Sequence, residues 1–283
     1  MLARFAAEPR VVVLRQENRG VSAARNAGVA GACSRFVAFL DADDELTAPA
    51  VQARRAALAA HPDIDVLFTD FWISDSPGLT RSAHRSLDAA RMLCPYAEPA
   101  TNGVVRLGTG FAAAYAAGAV PQWTVHTNAL VIRRALFNAT GGFDPGRRTS
   151  EDIDLWCRVF AAGRAALLPG EPDSIYFRWR GSTEKYEIIH HANIAQLRHA
   201  LSAARSRAER RLLRRAIARE HLSQIYFLGI QRTPRLKIAR LLALSIASSP
   251  MPAGQTKYAA LMLLPRPVMR LLYAARSRSP AMS

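Results

Sequence analysis

Short apolar runs alternate with stretches of helical periodicity through the first two thirds of the chain. Apolar runs of four to six residues bounded by turn residues predict buried strands, whereas apolar positions spaced three and four apart predict helices. The predicted strands span residues 11–14, 36–40, 64–69, 128–132, 165–168 and 174–179. The predicted helices span residues 22–32 with Ser22 as N-cap, 50–60 with Pro49 at the first helical position, 87–93, 108–117, 133–138 and 151–162. This alternation favours an α/β fold with a largely parallel sheet and helices on both faces, and the later strands favour a mixed sheet.

The last third of the chain has a different pattern and a different charge. From residue 187 onward it is helical in pattern, with long helices predicted over residues 200–230, 236–246 and 258–273. Residues 186–283 contain 17 Lys and Arg against 3 Asp and Glu, whereas residues 1–185 contain 21 against 19. Almost all of the net charge of +16 therefore lies in residues 186–283. We predict a globular domain over residues 1–185 followed by a basic α-helical region over residues 186–283.

Four carboxylates follow the predicted central strand. The run 36–40 ends in Asp41, Asp43, Asp44 and Glu45. Ligands of open α/β sheets bind at the carboxyl ends of strands, and carboxylate oxygens suit a hard divalent cation such as Mg²⁺ or Mn²⁺. The alternative is a solvated acidic turn. The flanking residues favour the cation site.

The cysteine content and the apolar runs limit the cellular setting. The three cysteines are far apart in the sequence, which fits a reducing compartment. The first ten residues lack the apolar core of a signal peptide, and no apolar run approaches the roughly 18 residues of a membrane span. We therefore expect a cytoplasmic location.

Four motifs in order resemble those of a known enzyme family. Residues 18–28 resemble an N-x-G-x-x-x-A-R-N-x-G segment, and residues 39–44 resemble a D-x-D box. Residues 141–144 read G-G-F-D, and residues 151–156 fit E-D-x-x-L-W. Together they resemble family 2 glycosyltransferases of the A-type fold, over roughly residues 8–185. The resemblance implies a Rossmann-like nucleotide-diphospho-sugar transferase domain, a nucleotide-sugar donor and a divalent metal.

The resemblance also implies roles for residues on the donor side. Asp43 would ligate the metal that bridges the donor diphosphate, and Asp41 would face the ribose or the waters of the metal. Asn18 and Arg25 match positions that can approach the nucleotide. The alternative for Arg25 is a helix residue that pairs with a nearby carboxylate.

On the acceptor side, the resemblance makes Asp152 the general base, with Glu151 beside it. The reaction would be a single displacement that inverts the anomeric centre, and the dipole of the following helix would keep Asp152 ionised. The alternative is a capping arrangement in which Thr149 caps that helix and Asp152 occupies its third position.

Residues around the last predicted strand and before residue 128 have alternative roles. Trp179 or Arg180 stands where the family often has a His before Gly-Ser. Arg178, Arg180 and Lys185 would instead contact the diphosphate by charge or form a solvated basic loop. His126 is expected to be structural. Trp123 would either stack on a sugar or pack.

The start of the chain departs from the family pattern. The family normally begins with a strand, a helix and a second strand that hold the nucleoside base, and residues 2–10 resemble the link that follows them. Either the start site has been placed too late or the chain is a truncated relative. In both cases we expect an N-terminally incomplete A-type domain that binds donor poorly when made from these 283 residues alone.

The basic region suggests a surface partner. Arginines beside apolar helical faces are typical of helices that lie on anionic lipid, which would suit a lipid-linked or cell-envelope acceptor. The alternative is a helical bundle with its arginines on the wet face.

Three competing functions have weaker support. A nucleotidyltransferase would need a Gly-rich basic phosphate loop near the start, and none is present. A non-catalytic scaffold is opposed by Asp43 and Asp152 and favoured by the missing front elements. Nucleic-acid binding is opposed by the absence of regularly interleaved aromatic residues in the tail.

Overall fold

The computed structural model describes residues 8–76, 79–177, 186–230 and 235–249. The chain divides into two compact units, residues 1–183 and residues 184–283. We call them the front unit and the back unit and describe each by itself.

The front unit is built from short strands and short helices. Its strands are β1 (Phe36–Ala38), β2 (Glu45–Leu46), β3 (Val66–Phe68), β4 (Trp72–Ser76), β5 (Leu79–Ser82), β6 (Val105–Leu107), β7 (Leu130–Arg133), β8 (Ala165–Leu167) and β9 (Ser174–Phe177). Its helices are α1 (Val21–Gly31), α2 (Ala50–Ala60), α3 (Ala83–Ser86), α4 (Ala89–Leu93), α5 (Phe111–Ala116), α6 (Arg134–Ala139) and α7 (Glu151–Ala162). The helices predicted at 50–60 and 151–162 are confirmed residue for residue.

The strands form two mixed sheets. The larger has the order β1-β7-β3-β8-β6, and the smaller has the order β2-β9-β4-β5. Within the described residues, only β3 with β8 and β4 with β9 pair in parallel. The mixed sheet is therefore confirmed, and the expectation of a largely parallel one is wrong. The reason lies in β7, which is inserted between β1 and β3 and runs antiparallel to both.

Helix α7 is positioned by an aromatic core. Trp156 and Phe160 are buried, as the predicted apolar face required, although Ile153 of that face is only half-buried. The ring of Phe160 lies 5.0 Å from that of Phe111 in α5 and 6.1 Å from that of Phe68 in β3, measured between centroids. Aromatic pairs at such distances add to the stability gained by burial. The start of α7 is thereby fixed relative to the larger sheet.

Three local predictions near the front are wrong. Residues 11–14 form no strand; Val12 is 72% exposed, and the edge strand β1 pairs with β7 alone among the described strands. An apolar run becomes a strand only where a neighbour accepts its ladder of hydrogen bonds. Ser22 is not an N-cap, because α1 begins one residue earlier, after Gly20 at φ +85°. Pro49 is itself the N-cap residue of α2.

The back unit consists of three described helices: α8 (Tyr186–Ala203), α9 (Arg207–Ile230) and α10 (Arg235–Ser248). The helix predicted over 200–230 is broken at residues 204–206. A capping box forms there, in which Ser206 Oγ accepts from the Glu209 N–H (3.1 Å) and Glu209 Oε2 accepts from the Ser206 N–H (3.3 Å). The helix predicted over 258–273 lies outside the described residues. None of the described helices is both long and apolar enough to cross a membrane.

Candidate active site

The acidic turn after β1 is folded so that its carboxylates point to different environments. The Asp44 N–H donates to the carbonyl of Asp41 (3.1 Å), which closes the turn. The Asp44 carboxylate is buried and accepts from Asn128 Nδ2 (3.1 Å) and from the Phe177 N–H (3.1 Å). Burial raises the pKa of Asp44 to about 6, and the negative charges of Asp43 and Asp41 raise it further. The hydrogen bond from the Phe177 N–H acts in the opposite direction and lowers this pKa. Asp44 therefore fastens the turn to β9 and to the segment before β7.

Arg25 joins this turn to the start of α7. Its Nη2 donates to both carboxylate oxygens of Asp41 (2.6 and 2.8 Å), and its Nη1 donates to Glu151 Oε1 (3.1 Å). The guanidinium also lies over the Phe143 ring, 5.1 Å from its centroid. Its side chain is only 11% exposed. The alternative that the sequence left open for Arg25, pairing with a nearby carboxylate, is what the structure shows.

The first turn of α7 has three acidic residues with three different surroundings. Glu151 pairs with Arg25, and Asp154 is buried between Arg147 (2.6 Å) and Arg158 (2.7 Å). Asp152 has no cationic partner within 4.0 Å among the described residues; its Oδ1 accepts from the N–H of the next residue (2.7 Å). Asp152 is thus the carboxylate of this turn that is left to take a proton from another molecule.

The capping alternative for Asp152 is wrong. The N-cap residue of α7 is Ser150, not Thr149, and its side chain makes no capping hydrogen bond. Ser150 has φ +56°, a left-handed conformation that costs a non-glycine residue energy and that occurs often at functional sites.

The electrostatic state of Asp152 also differs from expectation. Burial, and then the neighbouring carboxylate of Glu151, raise its pKa to about 6, although the Ile153 N–H and Arg25 act in the opposite direction. The expected dominance of the helix dipole is therefore not seen, because desolvation of the half-buried carboxyl outweighs it. A base with a pKa near the working pH is well matched to general-base catalysis.

Asn26 is a residue of the site region to which sequence reasoning gave no role. Its Nδ2 donates to the Phe143 carbonyl (2.7 Å), and its Oδ1 accepts from the Phe143 N–H (2.9 Å). Gly142 has φ +67°, and a Cβ there would lie 2.8 Å from Asn26 Oδ1. Asn26 therefore joins the motif of residues 18–28 to the motif of residues 141–144. The sequence signal for this contact was that both motifs belong to the same family pattern.

Asp43 is the carboxylate of the acidic turn that fits a metal. It is exposed and has no hydrogen bond or ion pair among the described residues, whereas both oxygens of Asp41 are occupied by Arg25. No three His, Cys, Asp or Glu side chains are gathered to hold a metal ion in the part of the chain that the structure describes. Mg²⁺ commonly binds through one or two carboxylates plus substrate phosphates and waters, and a single free carboxylate fits that mode.

Asn18, His126 and Trp123 make no hydrogen bond to Arg25, Asp43 or Asp152 among the described residues. Asn18 accepts from the Gly20 N–H (3.1 Å) in an exposed turn before α1. Arg178 and Arg180 lie outside the described residues. His126 packs against Tyr176 (4.3 Å between centroids), and its Nδ1 lies 2.6 Å from Asn128 Oδ1, which fits the structural role expected for it. Trp123 is half exposed, and its ring centroid lies 6.0 Å from that of Tyr176.

The sequence of the front unit matches a known family. Residues 1–122 match the model named Glycosyl transferase family 2. That stretch includes Arg25, Asp41 and Asp43 and ends before Glu151 and Asp152. The roles of the last two residues therefore depend on the geometry described above.

Three known proteins resemble parts or most of this chain. Over 67 residues the chain is 42% identical to the uncharacterized glycosyltransferase YibD of Escherichia coli K12, which is 23% of this chain and 19% of that protein. Residues 1–349 of S. aureus TarS are 13% identical with a TM-score of 0.52, covering 93% of this chain and 72% of that one. The mannosyltransferase PcManGT of Pyrobaculum calidifontis, solved with GDP-Man and Mn²⁺, is 18% identical with a TM-score of 0.46, covering 93% and 66%. The fold is that of the A-type glycosyltransferases.

Proposed function

We propose that this chain transfers a sugar from a nucleoside-diphosphate donor to an acceptor hydroxyl. The observation that carries the proposal is the double contact of Arg25 with Asp41 and Glu151, because it holds the acidic turn beside the helix start that presents Asp152. The match to family 2 supports the reaction class on the donor side.

In this proposal Asp152 is the general base. The acceptor oxygen forms a bond to the anomeric carbon while the bond from that carbon to the diphosphate oxygen breaks, and the hydroxyl proton passes to Asp152. A single displacement of this kind inverts the anomeric centre. Glu151 and Arg25 position the helix start and are expected not to take the proton themselves.

Asp43 would hold the divalent cation, Mn²⁺ or Mg²⁺. When bound, the cation supplies positive charge to the leaving diphosphate. Asp41 is fixed by Arg25 and, in this proposal, faces the ribose or the waters around the cation. Asn18, Arg178 and Arg180 remain proposed contacts to the donor, the last two by charge on its diphosphate.

For the acceptor we propose a cell-envelope or lipid-linked glycan at the inner face of a membrane. The support is the basic back unit, in which α9 carries a row of arginines that anionic lipid would attract. The competing proposal is a non-catalytic, membrane-associated or interaction protein. An exposed Asp43, and an Asp152 without a cationic partner among the described residues, favour the enzyme over this alternative.

The proposal is tested by donor binding and hydrolysis. The full chain is titrated with UDP-, GDP- and dTDP-linked sugars in Mn²⁺ buffer, alone and after Asp43→Asn. We expect one donor class to bind weakly, in keeping with the poor donor binding expected from the sequence. We expect Asp43→Asn to lower that affinity by about tenfold or more, because loss of a residue that only supports a metal ligand already lowers metal affinity by that factor. The matched control is Asp88→Asn, an exposed acid with φ +49°, a conformation that Asn also tolerates.

The outcome separates the two candidate functions. Donor binding that depends on Asp43 and on Mn²⁺, with Asp88→Asn unchanged, supports the transferase. Absence of binding with every donor, in a chain shown to be folded by circular dichroism, overturns it in favour of the non-catalytic role.

A further inference from the structure

The back unit contains a strongly basic cavity between the start of α9 and the end of α10. Its volume is about 400 Å³, within the range of small-molecule sites. Five arginines of α9 line it together with the last residues of α10: Arg207, Arg210, Arg211, Arg214 and Arg215 with Ala247, Ser248 and Ser249.

The arginines lie on the face of α9 that turns toward α10. They are spaced at i, i+3, i+4, i+7 and i+8, so they share one side of the helix. Farther along α9 the same row continues with Leu222 and Ile225, which pack on Ile238 and Leu241 of α10. The face of α9 that is turned toward α10 is therefore apolar along α10 and consists of arginines beside the end of α10. Arg207, Arg211, Arg214 and Arg215 are exposed, which agrees with the expectation of arginines on the wet face of the helices.

The charge in this cavity is not balanced by the described part of the protein. No carboxylate there lies within ion-pair distance of the five arginines, and the nearby Glu209 accepts from the backbone N–H groups of Arg205 and Ser206. Arg210 donates to the Ala204 carbonyl (2.8 Å). The carbonyl end of α10 offers only about half a negative charge against five guanidinium groups. Like charges gathered around one cavity are stabilised by an anion.

We propose that this cavity binds a phosphate ligand with at least two negative charges, a phosphomonoester or a diphosphate. Guanidinium groups match phosphate oxygens through paired N–H donors, which makes arginine better suited to this ligand than lysine. A free phosphate compound and the headgroup of a lipid such as phosphatidic acid share this chemistry. The proposal does not rest on the reaction proposed for the front unit.

The test compares two double variants of the full chain with the same loss of charge. Arg211→Gln/Arg215→Gln removes two exposed arginines of the cavity, and Arg198→Gln/Arg240→Gln removes two exposed arginines elsewhere in the back unit. Each protein is titrated with inorganic pyrophosphate in a chelating, low-salt buffer by calorimetry, so that a metal-dependent site does not contribute. Each is also sedimented with phosphatidylcholine vesicles that contain phosphatidic acid, or phosphatidylglycerol at equal surface charge.

We expect the cavity variant to lose affinity by about tenfold or more, in keeping with the loss of two charge-assisted contacts, and the control variant to lose less than threefold. Binding to pyrophosphate identifies a soluble ligand, and preference for phosphatidic acid without pyrophosphate binding identifies a headgroup. Equal losses in the two variants, or binding to neither phosphate probe, overturn the proposal. Arg211→Lys/Arg215→Lys keeps the charge, and an intermediate loss is expected because the paired donors are gone. Thermal unfolding curves of all variants exclude a folding defect.

Discussion

At the scale of single residues, the start of α7 shows how burial assigns different tasks to similar side chains. Glu151 and Asp154 are neutralised by arginines and serve to fix the helix start. Asp152 shares the same turn but has no such partner among the described residues, and burial raises its pKa to about 6. A carboxylate that is destabilised in its charged form is one that gains by accepting a proton.

The pH dependence of Asp152 is testable in two ways. If it is the base, kcat/KM falls as pH drops through about 6 and is level above about 7, and Asp152→Asn lowers it roughly 10²- to 10⁴-fold. The free energy of unfolding should depend on pH in the opposite direction and decrease as pH rises. A carboxyl whose pKa is raised by folding contributes stability below its unfolded value of 3.8, and this contribution is lost as pH rises through about 6.

Asp152→Asn is therefore expected to be more stable than the parent chain at pH 7 and similar to it below pH 4. Denaturant unfolding at the two pH values measures this difference. Glu171→Gln, at an exposed site, is the control and is expected to change neither profile. An unaltered pH profile of kcat/KM in an active Asp152→Asn variant would assign the base elsewhere.

At the scale of elements, a buried ion pair fixes α2 to the strands that surround the site. Arg54 donates to both oxygens of Asp173 (2.7 and 2.5 Å) and to the Asn128 carbonyl (2.9 Å). Thr69 Oγ1 donates to the same carboxylate (2.7 Å). The pair connects the middle of α2 with Asp173, the residue before β9. The other end of β9 contacts Asp44 through the Phe177 N–H.

Arg54→Met is expected to lower the free energy of unfolding by about 3–5 kcal/mol, because it leaves a buried carboxylate without its partner. The exposed pair of Arg85 and Glu171 is the comparison, since their side chains are 64% and 75% exposed. Arg85→Met should cost less than about 1 kcal/mol. Denaturant titration of both variants measures the difference, and equal losses would show that the Arg54 pair is not the main constraint on α2.

At the scale of the whole molecule, the two units differ in net charge. The front unit is nearly balanced, and the last 98 residues hold 17 Lys and Arg against 3 Asp and Glu. An uneven charge of this size creates a long-range attraction toward anionic surfaces that salt screens. Such attraction is distinct from the cavity between α9 and α10, which would discriminate among anions.

Binding of the full chain to vesicles that contain phosphatidylglycerol should therefore fall steeply as NaCl is raised from about 0.05 to 0.5 M, because the Debye length shortens several-fold over that range. Vesicles of phosphatidylcholine alone are the control and should retain little protein. Cosedimentation measures both. Binding that persists unchanged at high salt would point to apolar insertion in place of surface charge.

The sequence by itself determined the motifs and the strongest local elements. Helices α2 and α7 follow from their periodicity, and the acidic turn follows from an apolar run that ends in carboxylates. The capping box at Ser206 and Glu209 is equally local, although the predicted helix over 200–230 passed over it. These features are local, so the information that fixes them lies within a few residues.

Only the tertiary structure decided which residues meet and which are buried. Arg25 pairs with Glu151 across 126 positions, Asp44 turns inward to a backbone N–H 133 positions away, and residues 11–14 form no strand because no described strand pairs with them. Tertiary packing also decided the direction of the Asp152 pKa shift and the position of the α9 arginines beside the end of α10. Burial and pairing depend on the whole packed chain, and local periodicity does not contain them.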